Sequence, residues 1–298
     1  NSMSDEVITT QNDRMLNDKK NDQMIESFCE QWLNLRSWRT IAPSLKLYPE
    51  YDDLLNYYLP METTAYLRYL IQEDLPVGNL IDSNFSILNQ RLAEHYGIGG
   101  VVGQQMRKVS FSSEVPRGGL LTMGSVLKVT TDGFDTSPIL RGAWISKNIV
   151  GTPLSPPPEE VKAIEPEHGK TAATLKEQIE QHKSNPACYA CHKSIDPYGF
   201  ALENFDATGG WRTEYRVEKP HRGTFQFRLN GYYDLAQEVD ASGGIADQEF
   251  EYSFGQKQAL LLDHKKLAYN FAKKFFEFAN GYKPTLKQRM ELFNLIEN

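Results

Sequence analysis

The stretch Cys188-Tyr189-Ala190-Cys191-His192 combines two cysteines and a histidine in the order Cys-x-x-Cys-His. At this spacing two thiols can add to the two vinyl groups along one edge of a haem, and the next residue can place its imidazole on the iron. The chain has only 3 cysteines and 6 histidines in 298 residues, so random placement rarely produces this arrangement. The sequence therefore predicts one covalently bound haem c, attached through Cys188 and Cys191, with His192 as an iron ligand.

Three other interpretations of the pentapeptide stay open. A structural zinc site normally takes four ligands from two pairs of residues, and the sequence shows no second pair of this kind. A redox-active Cys-x-x-Cys normally opens a helix beside a βαβ unit, which the pattern around the motif does not indicate. A structural disulfide across two intervening residues is strained. Haem attachment explains the histidine as well as both cysteines, and it is the prediction that we carry forward.

Residues downstream of the motif are candidate contacts of such a haem. A haem histidine needs an acceptor for its second ring proton, and the backbone carbonyl of Pro197 is the candidate. An ordinary loop proline is the alternative. Trp211 and Arg212 are candidate donors to a haem propionate, because an indole N–H and a guanidinium both suit a carboxylate. The alternative for this pair is a stack of the two side chains on the surface.

The second axial ligand of the iron has five candidates, namely Met123, His182, His221, His264 and Met290. Met123 is favoured, because the glycine-bounded apolar segment around it can bring backbone close to a flat cofactor. A thioether ligand there would also raise the reduction potential, as an electron carrier requires. The alternative is that Met123 only fills space in the core.

Composition excludes two classes of partner. Hydrophobic residues make up 40% and charged residues 24% of the chain, which are ordinary values for a protein with a sizeable core. No run approaches the roughly 18 apolar residues that a membrane-spanning helix needs. The net charge of -7 argues against nucleic acid, whose phosphates require a basic face. We therefore expect no membrane span and no nucleic-acid partner.

The apolar spacing predicts a mainly α fold in three units. Residues 1–14 are expected to be a tag-derived, disordered lead, because they are polar and lack the apolar middle of a signal peptide. Helical periodicity predicts a helical domain over residues 15–108. Residues 109–165 are predicted to be a mixed segment with a proline-rich linker. Residues 166–298 are predicted to form a helical c-type haem domain with long loops.

Individual helices are predicted from apolar residues that recur at steps of three and four. The predicted helices cover residues 12–35, 51–59, 62–71, 83–96, 171–182, 257–280 and 285–296. Cys29 falls in the first of them. A free cysteine in such a pattern is expected to be a buried, inert thiol.

Longer runs of the sequence resemble the large cytochrome-like proteins of planctomycetes. The run from Asn185-Pro186 to Phe205-Asp206, which contains the pentapeptide, resembles their C-terminal domain, which is of unknown function. Upstream, Arg117-Gly118-Gly119-Leu120-Leu121-Thr122 together with Thr136-Ser137-Pro138 resembles the domain before it. Further upstream, Asn89-Gln90-Arg91-Leu92 and the residues to Ile98 are similar to a helical domain. The resemblance covers nearly the whole chain in the same order.

The resemblance implies a periplasmic or secreted haem protein with several domains, of which this chain is expected to be the C-terminal portion. In that family such domains often accompany carbohydrate-binding or further cytochrome modules. The resemblance thus also implies an association with polysaccharide breakdown, made through modules outside this chain.

The predicted haem allows two main functions. If protein side chains fill both axial positions, the iron can only pass electrons, to or from another cytochrome or a secreted oxidase. This is the expected function. If the sixth position is open or weakly held, a peroxidase-like or oxidase activity is the alternative. A scaffold or carbohydrate-binding role would instead use aromatic side chains such as Trp38, Tyr57 or Tyr58 as sugar platforms.

Overall fold

The computed structural model describes residues 4–152, 186–219, 232–245 and 248–297. It is about 53% helical with small antiparallel sheets, which confirms the mainly α class. The helices are α1 (Asp5–Leu16), α2 (Asn21–Trp32), α3 (Asp53–Gln72), α4 (Gln90–His95), α5 (Gly124–Lys128), α6 (Pro138–Ile145), α7 (Pro186–Phe200), α8 (Ser253–Leu261), α9 (His264–Asn280) and α10 (Leu286–Glu297). No helix in these ranges has the length and apolar character needed to cross a membrane.

The described strands pair as three antiparallel two-stranded sheets. They are β1 (Phe85–Leu88) with β2 (Arg107–Ser110), β3 (Glu214–Glu218) with β4 (Tyr233–Glu238), and β5 (Gly243–Ile245) with β6 (Gln248–Phe250). All four residues of β1 are buried, so this strand is part of the core. The sheets are small additions to a helical protein.

One hydrophobic cluster draws buried residues from all three predicted units. Its members include Ile25, Tyr66, Leu121, Trp144, Leu202 and Leu267. A second cluster contains Leu55 and Leu92 together with Ala207, from the loop after α7. Because both clusters join residues that are far apart in the sequence, the three units share their core.

The first residues form a helix where the sequence analysis expects a disordered lead. Helix α1 covers Asp5–Leu16, and its residues from 6 to 16 are exposed. Polar contacts along its surface support it, such as the bond from Arg14 Nε to Gln11 Oε1 at 2.9 Å. Gln11 and Arg14 are polar but have good helix propensity, so a polar sequence is compatible with the helix seen here.

Two segments differ from the helices predicted for them. The predicted helices 51–59 and 62–71 join into α3, which continues through Pro60 and begins where Asp52 Oδ1 accepts a bond from Leu55 N. The predicted helix 83–96 is strand β1 followed by α4. There the side chain of Asn89 accepts a bond from Leu92 N at 3.0 Å and starts the helix only at residue 90.

A π-helical turn, Ser146–Val150, extends α6. Its wider backbone leaves carbonyl groups available to other helices. Trp32 Nε1 of α2 donates to Asn148 O at 2.9 Å, and Asn270 Nδ2 of α9 donates to Asn148 O and Ile149 O at 2.8 Å each. The turn therefore ties α2 and α9 to the end of α6.

The predicted closing helix 257–280 is divided into α8 and α9. Asp263 separates them, and its side chain accepts a hydrogen bond from Lys266 N at 3.1 Å. The proline run after Thr152 and the predicted helix 171–182 lie outside the described residues.

Candidate functional site

The Cys-x-x-Cys-His motif lies in the first half of α7. The helix begins at Pro186. Proline suits the first turn of a helix, because its missing N–H would have no partner within the helix. Residues three and four apart share one face of a helix, so positions 188, 191 and 192 lie on the same side of α7. The backbone of both cysteines is described, whereas their side chains lie outside the described part of the chain.

A carboxylate one helical turn away orients His192. Its Nδ1 lies 2.9 Å from Asp196 Oδ1, and the two side chains are 11% and 2% exposed. With the proton on Nδ1, the ring is held in one tautomer and Nε2 is the nitrogen that can ligate a metal. Histidines that bind metals are commonly held by a carboxylate in this way. These residues therefore fit an iron-ligating histidine next to two cysteines.

Two glycines hold the motif helix against α6. A Cβ added at Gly142 of α6 would overlap the backbone oxygen of Ile195 in α7, and one added at Gly199 of α7 would overlap the oxygen of Pro138 in α6. The two helices therefore cross with their backbones in contact. This crossing fixes where α7 lies on the core.

A buried ion network joins α6 to the chain after α7. Glu203 is fully buried, and its carboxylate accepts bonds from Arg141 at 3.0 Å, Arg212 at 3.1 Å and the hydroxyl of Thr136 at 2.6 Å. Arg141 also donates to Leu202 O at 2.8 Å. Buried charges are tolerated when they are paired and hydrogen-bonded in this manner. The network fixes residues 202–212 against α6.

Arg212 and Trp211 are the predicted propionate donors. Arg212 is nearly buried and uses its guanidinium for Glu203 and Thr136, at 3.1 and 2.8 Å. Trp211 is 39% exposed and sets its ring edge-on to Phe205, with centroids 5.1 Å apart. The propionate contacts of both residues stay predictions.

Pro197 lies within the last part of α7, and its carbonyl is 3.4 Å from Ala201 N. In the structure the acceptor beside His192 Nδ1 is Asp196, one residue before the predicted Pro197. The helix explains this difference. Asp196 follows His192 by four positions and therefore shares its face of the helix, whereas Pro197 follows by five positions and lies on a different face.

Met123 is 2% exposed and belongs to the larger hydrophobic cluster. Its neighbour Gly124 packs against the backbone at Thr208 and Gly209, in the loop that follows α7. Ligation of iron by Met123 stays a prediction. Of the other candidates, His264 and Met290 are exposed. His182 and His221 lie outside the described residues.

A second buried carboxylate, that of Glu62, is linked through Tyr96 to Gly124, the residue after Met123. Glu62 accepts hydrogen bonds from Tyr96 OH at 2.6 Å and Ser86 Oγ at 2.7 Å, and Gly124 N donates to the same tyrosine oxygen at 2.9 Å. The guanidinium of Arg117 stacks 3.8 Å over the Tyr96 ring. Burial raises the pKa of Glu62 to about 7, although the two hydroxyl bonds and the charge of Arg117 oppose this shift.

The described residues also bear on the other interpretations of the motif. All strand pairs in those ranges are antiparallel, so no βαβ unit adjoins α7 there. Among the described side chains, which do not include those of Cys188 and Cys191, no group of three or more His, Cys, Asp or Glu is arranged to hold a metal ion, so the zinc interpretation of the motif is not tested. Cys29 is a free thiol in the core, which confirms the predicted burial, and desolvation raises its pKa to about 12.

Two family models match the chain. Residues 117–215 match PSCyt3, a protein of unknown function (DUF1588), and residues 2–98 match PSD4, a protein of unknown function (DUF1592). Both are planctomycete cytochrome-like domains. A search of curated proteins and a search of solved structures gave no match. These matches support the resemblance to planctomycete cytochrome-like proteins for residues 2–98 and 117–215.

The PSCyt3 match extends over the whole candidate site. It contains Arg117, both glycines of the helix crossing, the pentapeptide and the Glu203 network. The resemblance had placed the run from Arg117 and the run around the motif in two successive domains, whereas a single match covers both. Since its description gives no function, haem attachment is a proposal.

Sequence reasoning missed Asp196, Arg141 and Glu203. A signal for Asp196 was present, because it follows His192 by four residues and a helix would bring the two together. Arg141 and Glu203 are single charges in apolar surroundings, but they lie far apart in the sequence. Only the fold brings these two residues together.

Proposed function

We propose that this chain is an electron-transfer module that carries one haem c, bonded through Cys188 and Cys191 and ligated by His192. The observation that supports this most directly is the pairing of His192 with Asp196 on the same helix as the two cysteines. Bound haem would supply one-electron chemistry at its iron. The cytochrome-like character of the two matched domains agrees with the proposal.

The residues of the chain have three tasks in this proposal. The two cysteines hold one edge of the cofactor to one face of α7. Asp196 keeps the proton on Nδ1 of His192, so that Nε2 presents its lone pair to the metal. The glycine crossing and the Glu203 network hold α7 in place, which limits rearrangement when the charge of the site changes.

The compartment and the partners are part of the proposal. Thioether attachment of haem takes place outside the cytoplasm, so a periplasmic or secreted location is expected. The partner would be a redox protein, either another cytochrome or a secreted oxidase. With a net charge of -7, the chain would favour a partner with a basic face. An association with polysaccharide would be made through modules outside this chain.

Covalent attachment can be tested by exporting the full chain from cells that mature c-type cytochromes. We expect a mass increase of one haem and a colour that survives acid-acetone extraction. The double variant Cys188→Ala, Cys191→Ala should lose both, whereas the control Cys29→Ala should keep both, because that thiol is buried in the core. A double variant that still carries extraction-resistant haem would refute the attachment sites.

Met123 is the proposed second axial ligand, and its test separates electron transfer from haem catalysis. The oxidised protein should show the sulfur-to-iron absorption band in the far red, and the reduced protein should not bind carbon monoxide. Met123→Ala should remove the band and open the iron to carbon monoxide. A wild type without the band would exclude Met123, and a wild type that binds the gas would favour a peroxidase-like or oxidase activity.

A further inference from the structure

Helix α10 has an apolar face that is exposed to solvent. None of the residues of this helix, Leu286–Glu297, is buried. Leu286, Met290 and Phe293 recur at steps of four and three, so they share one side of the helix. These three residues are 67%, 61% and 52% exposed. A contiguous row of large apolar side chains at the surface is typical of a site that binds another apolar surface.

The contacts that join α10 to α9 include an aromatic pair and an ion pair. The rings of Tyr269 and Phe293 meet edge-on, with centroids 6.2 Å apart. Lys265 Nζ pairs with Glu297 Oε2 at 2.7 Å, but both side chains are exposed, and such ion pairs add little stability. Short helices are marginal in water unless an apolar face packs against another surface. A partner that covers the apolar face would therefore stabilise α10.

Basic side chains lie beside this apolar face. A groove of about 900 Å³ between α9 and α10 is lined by the three apolar residues and by four cations, Lys265, Lys266, Lys273 and Arg289. Lys265 is paired with Glu297, whereas the other three cations form no ion pair within the described ranges. Lys266 and Lys273 are seven positions apart in α9, so they lie on one side of it, two turns from each other. The groove thus sets a basic row of α9 next to the apolar row of α10.

Carboxylates around the groove already have partners. Glu291 of α10 lies 3.9 Å from Lys287 Nζ, and Asp263 caps α9 by accepting a bond from Lys266 N at 3.1 Å. Over residues 263–298 the sequence has seven lysines and arginines and four acidic residues, although the whole chain has a net charge of -7. This end of an acidic protein therefore offers unpaired positive charge to an anionic partner.

A lipid surface fits this combination of residues better than a protein partner does. Lysine is depleted from protein–protein interfaces, whereas helices that lie on anionic membranes combine lysine and arginine with leucine and phenylalanine. We infer that α10 and the adjoining side of α9 bind an anionic lipid surface. Leu286, Met290 and Phe293 would enter the boundary between headgroups and acyl chains, and the unpaired cations of the groove would lie beside the lipid phosphates.

Sedimentation of the full chain with unilamellar vesicles tests this inference. We expect it to bind vesicles of phosphatidylcholine that contain about one third phosphatidylglycerol, which supplies the anionic surface. Vesicles of phosphatidylcholine alone should bind it at least about tenfold more weakly, and added salt should weaken the binding to anionic vesicles. Binding is measured on the protein itself, so the outcome does not depend on haem attachment. No binding to the anionic vesicles, or equal binding to both kinds, would overturn the inference.

Serine variants locate the lipid surface on α10. The triple variant Leu286→Ser, Met290→Ser, Phe293→Ser should bind anionic vesicles at least about tenfold more weakly than the wild type. The matched control is Leu45→Ser, Val102→Ser, Leu235→Ser, because these residues are 64%, 74% and 60% exposed in other parts of the chain. Circular dichroism and the thermal midpoint would show that each variant is folded. An unchanged affinity in the folded α10 variant, or an equal loss in the control, would overturn the assignment to α10.

The cations of the groove have a variant of their own. Lys266→Gln, Lys273→Gln, Arg289→Gln keeps the apolar face and should remove the preference for anionic vesicles. A variant that keeps this preference would contradict the role of these cations. Analytical ultracentrifugation distinguishes the other occupant of the face. A chain that leaves vesicles unbound, and forms dimers that the serine variant of α10 loses, would show that the face binds a second copy and not lipid.

Discussion

Glu62 and Glu203 are both buried, but their neighbours differ. Glu203 accepts bonds from two guanidiniums, so its charge is compensated inside the protein. Glu62 accepts bonds from the hydroxyls of Tyr96 and Ser86. Hydroxyl dipoles compensate a buried charge less than a paired cation does. The pH sensitivity of the protein is therefore expected at Glu62.

Replacing Glu62 by glutamine should remove a pH dependence of stability. The folded pKa of about 7 lies above the ordinary value of 4.5, so the folded state holds the proton more tightly than the unfolded state. The resulting stabilisation is complete below the ordinary value and is lost as the pH rises through the folded value. Between these values the wild type should lose about 3 kcal/mol relative to Glu62→Gln.

Urea denaturation of both proteins at several pH values across this window measures the effect. The advantage of Glu62→Gln over the wild type should grow as the pH rises and level off above the folded pKa. A difference that is the same at every pH would contradict the proposed protonation of Glu62.

At the scale of single residues, the sequence identifies a candidate site when its residues lie close together along the chain. The pentapeptide was found because its three chemical groups are nearly adjacent. The sequence predicts Pro197 as the orienting acceptor of His192 because the prolines around the motif suggest a loop, whereas the helix brings Asp196 to Nδ1 instead. The bond from Arg212 to Thr136 could not be predicted, because the two residues are 76 positions apart in the sequence.

At the scale of elements, the crossing of α6 and α7 leaves no room for a side chain at Gly142. Gly142→Ala should destabilise the protein by about 1–3 kcal/mol, because the added methyl meets the backbone of Ile195 instead of a flexible side chain. The gain in helix propensity from alanine is smaller. Under the proposed haem attachment, the displaced α7 should also retain less haem when the protein is matured.

Gly99→Ala is the control for this substitution, because a Cβ at Gly99 meets nothing within 4 Å. It should change the free energy of unfolding by less than about 0.5 kcal/mol. Thermal denaturation of the two variants compares them directly. A Gly142→Ala protein as stable as Gly99→Ala would show that the helices do not cross in contact.

Prediction of elements succeeded where apolar spacing continues through a single helix and failed where capping and strand pairing decide. The predicted helix 285–296 is α10, and the predicted helices within 51–71 lie in α3. In 83–96, Leu88 and Leu92 have helical spacing, but the first belongs to a strand and the second to a helix. The cap at Asn89 and the pairing with β2 separate them, and residue spacing does not reveal either.

At the scale of the whole molecule, the Glu203 network is the main polar link between α6 and the chain beyond α7. Glu203→Gln should cost about 3–5 kcal/mol, because it removes the carboxylate that pairs with the two buried guanidiniums of Arg141 and Arg212. The exposed pair Lys287–Glu291 offers the control Glu291→Gln, which should cost at most about 1 kcal/mol. Denaturant titration measures both, and equal costs would show that the network contributes no more than a surface pair.

The shared hydrophobic core has a consequence for cooperativity. Ile25 lies in the region matched by PSD4, Leu121 and Leu202 lie in the region matched by PSCyt3, and Leu267 lies beyond both, yet all four belong to one cluster. Such a cluster forms only after distant parts of the chain have met, which makes folding slow. The two matched regions are therefore expected to unfold together in one thermal transition, like a single domain, and not in separate transitions like independent domains.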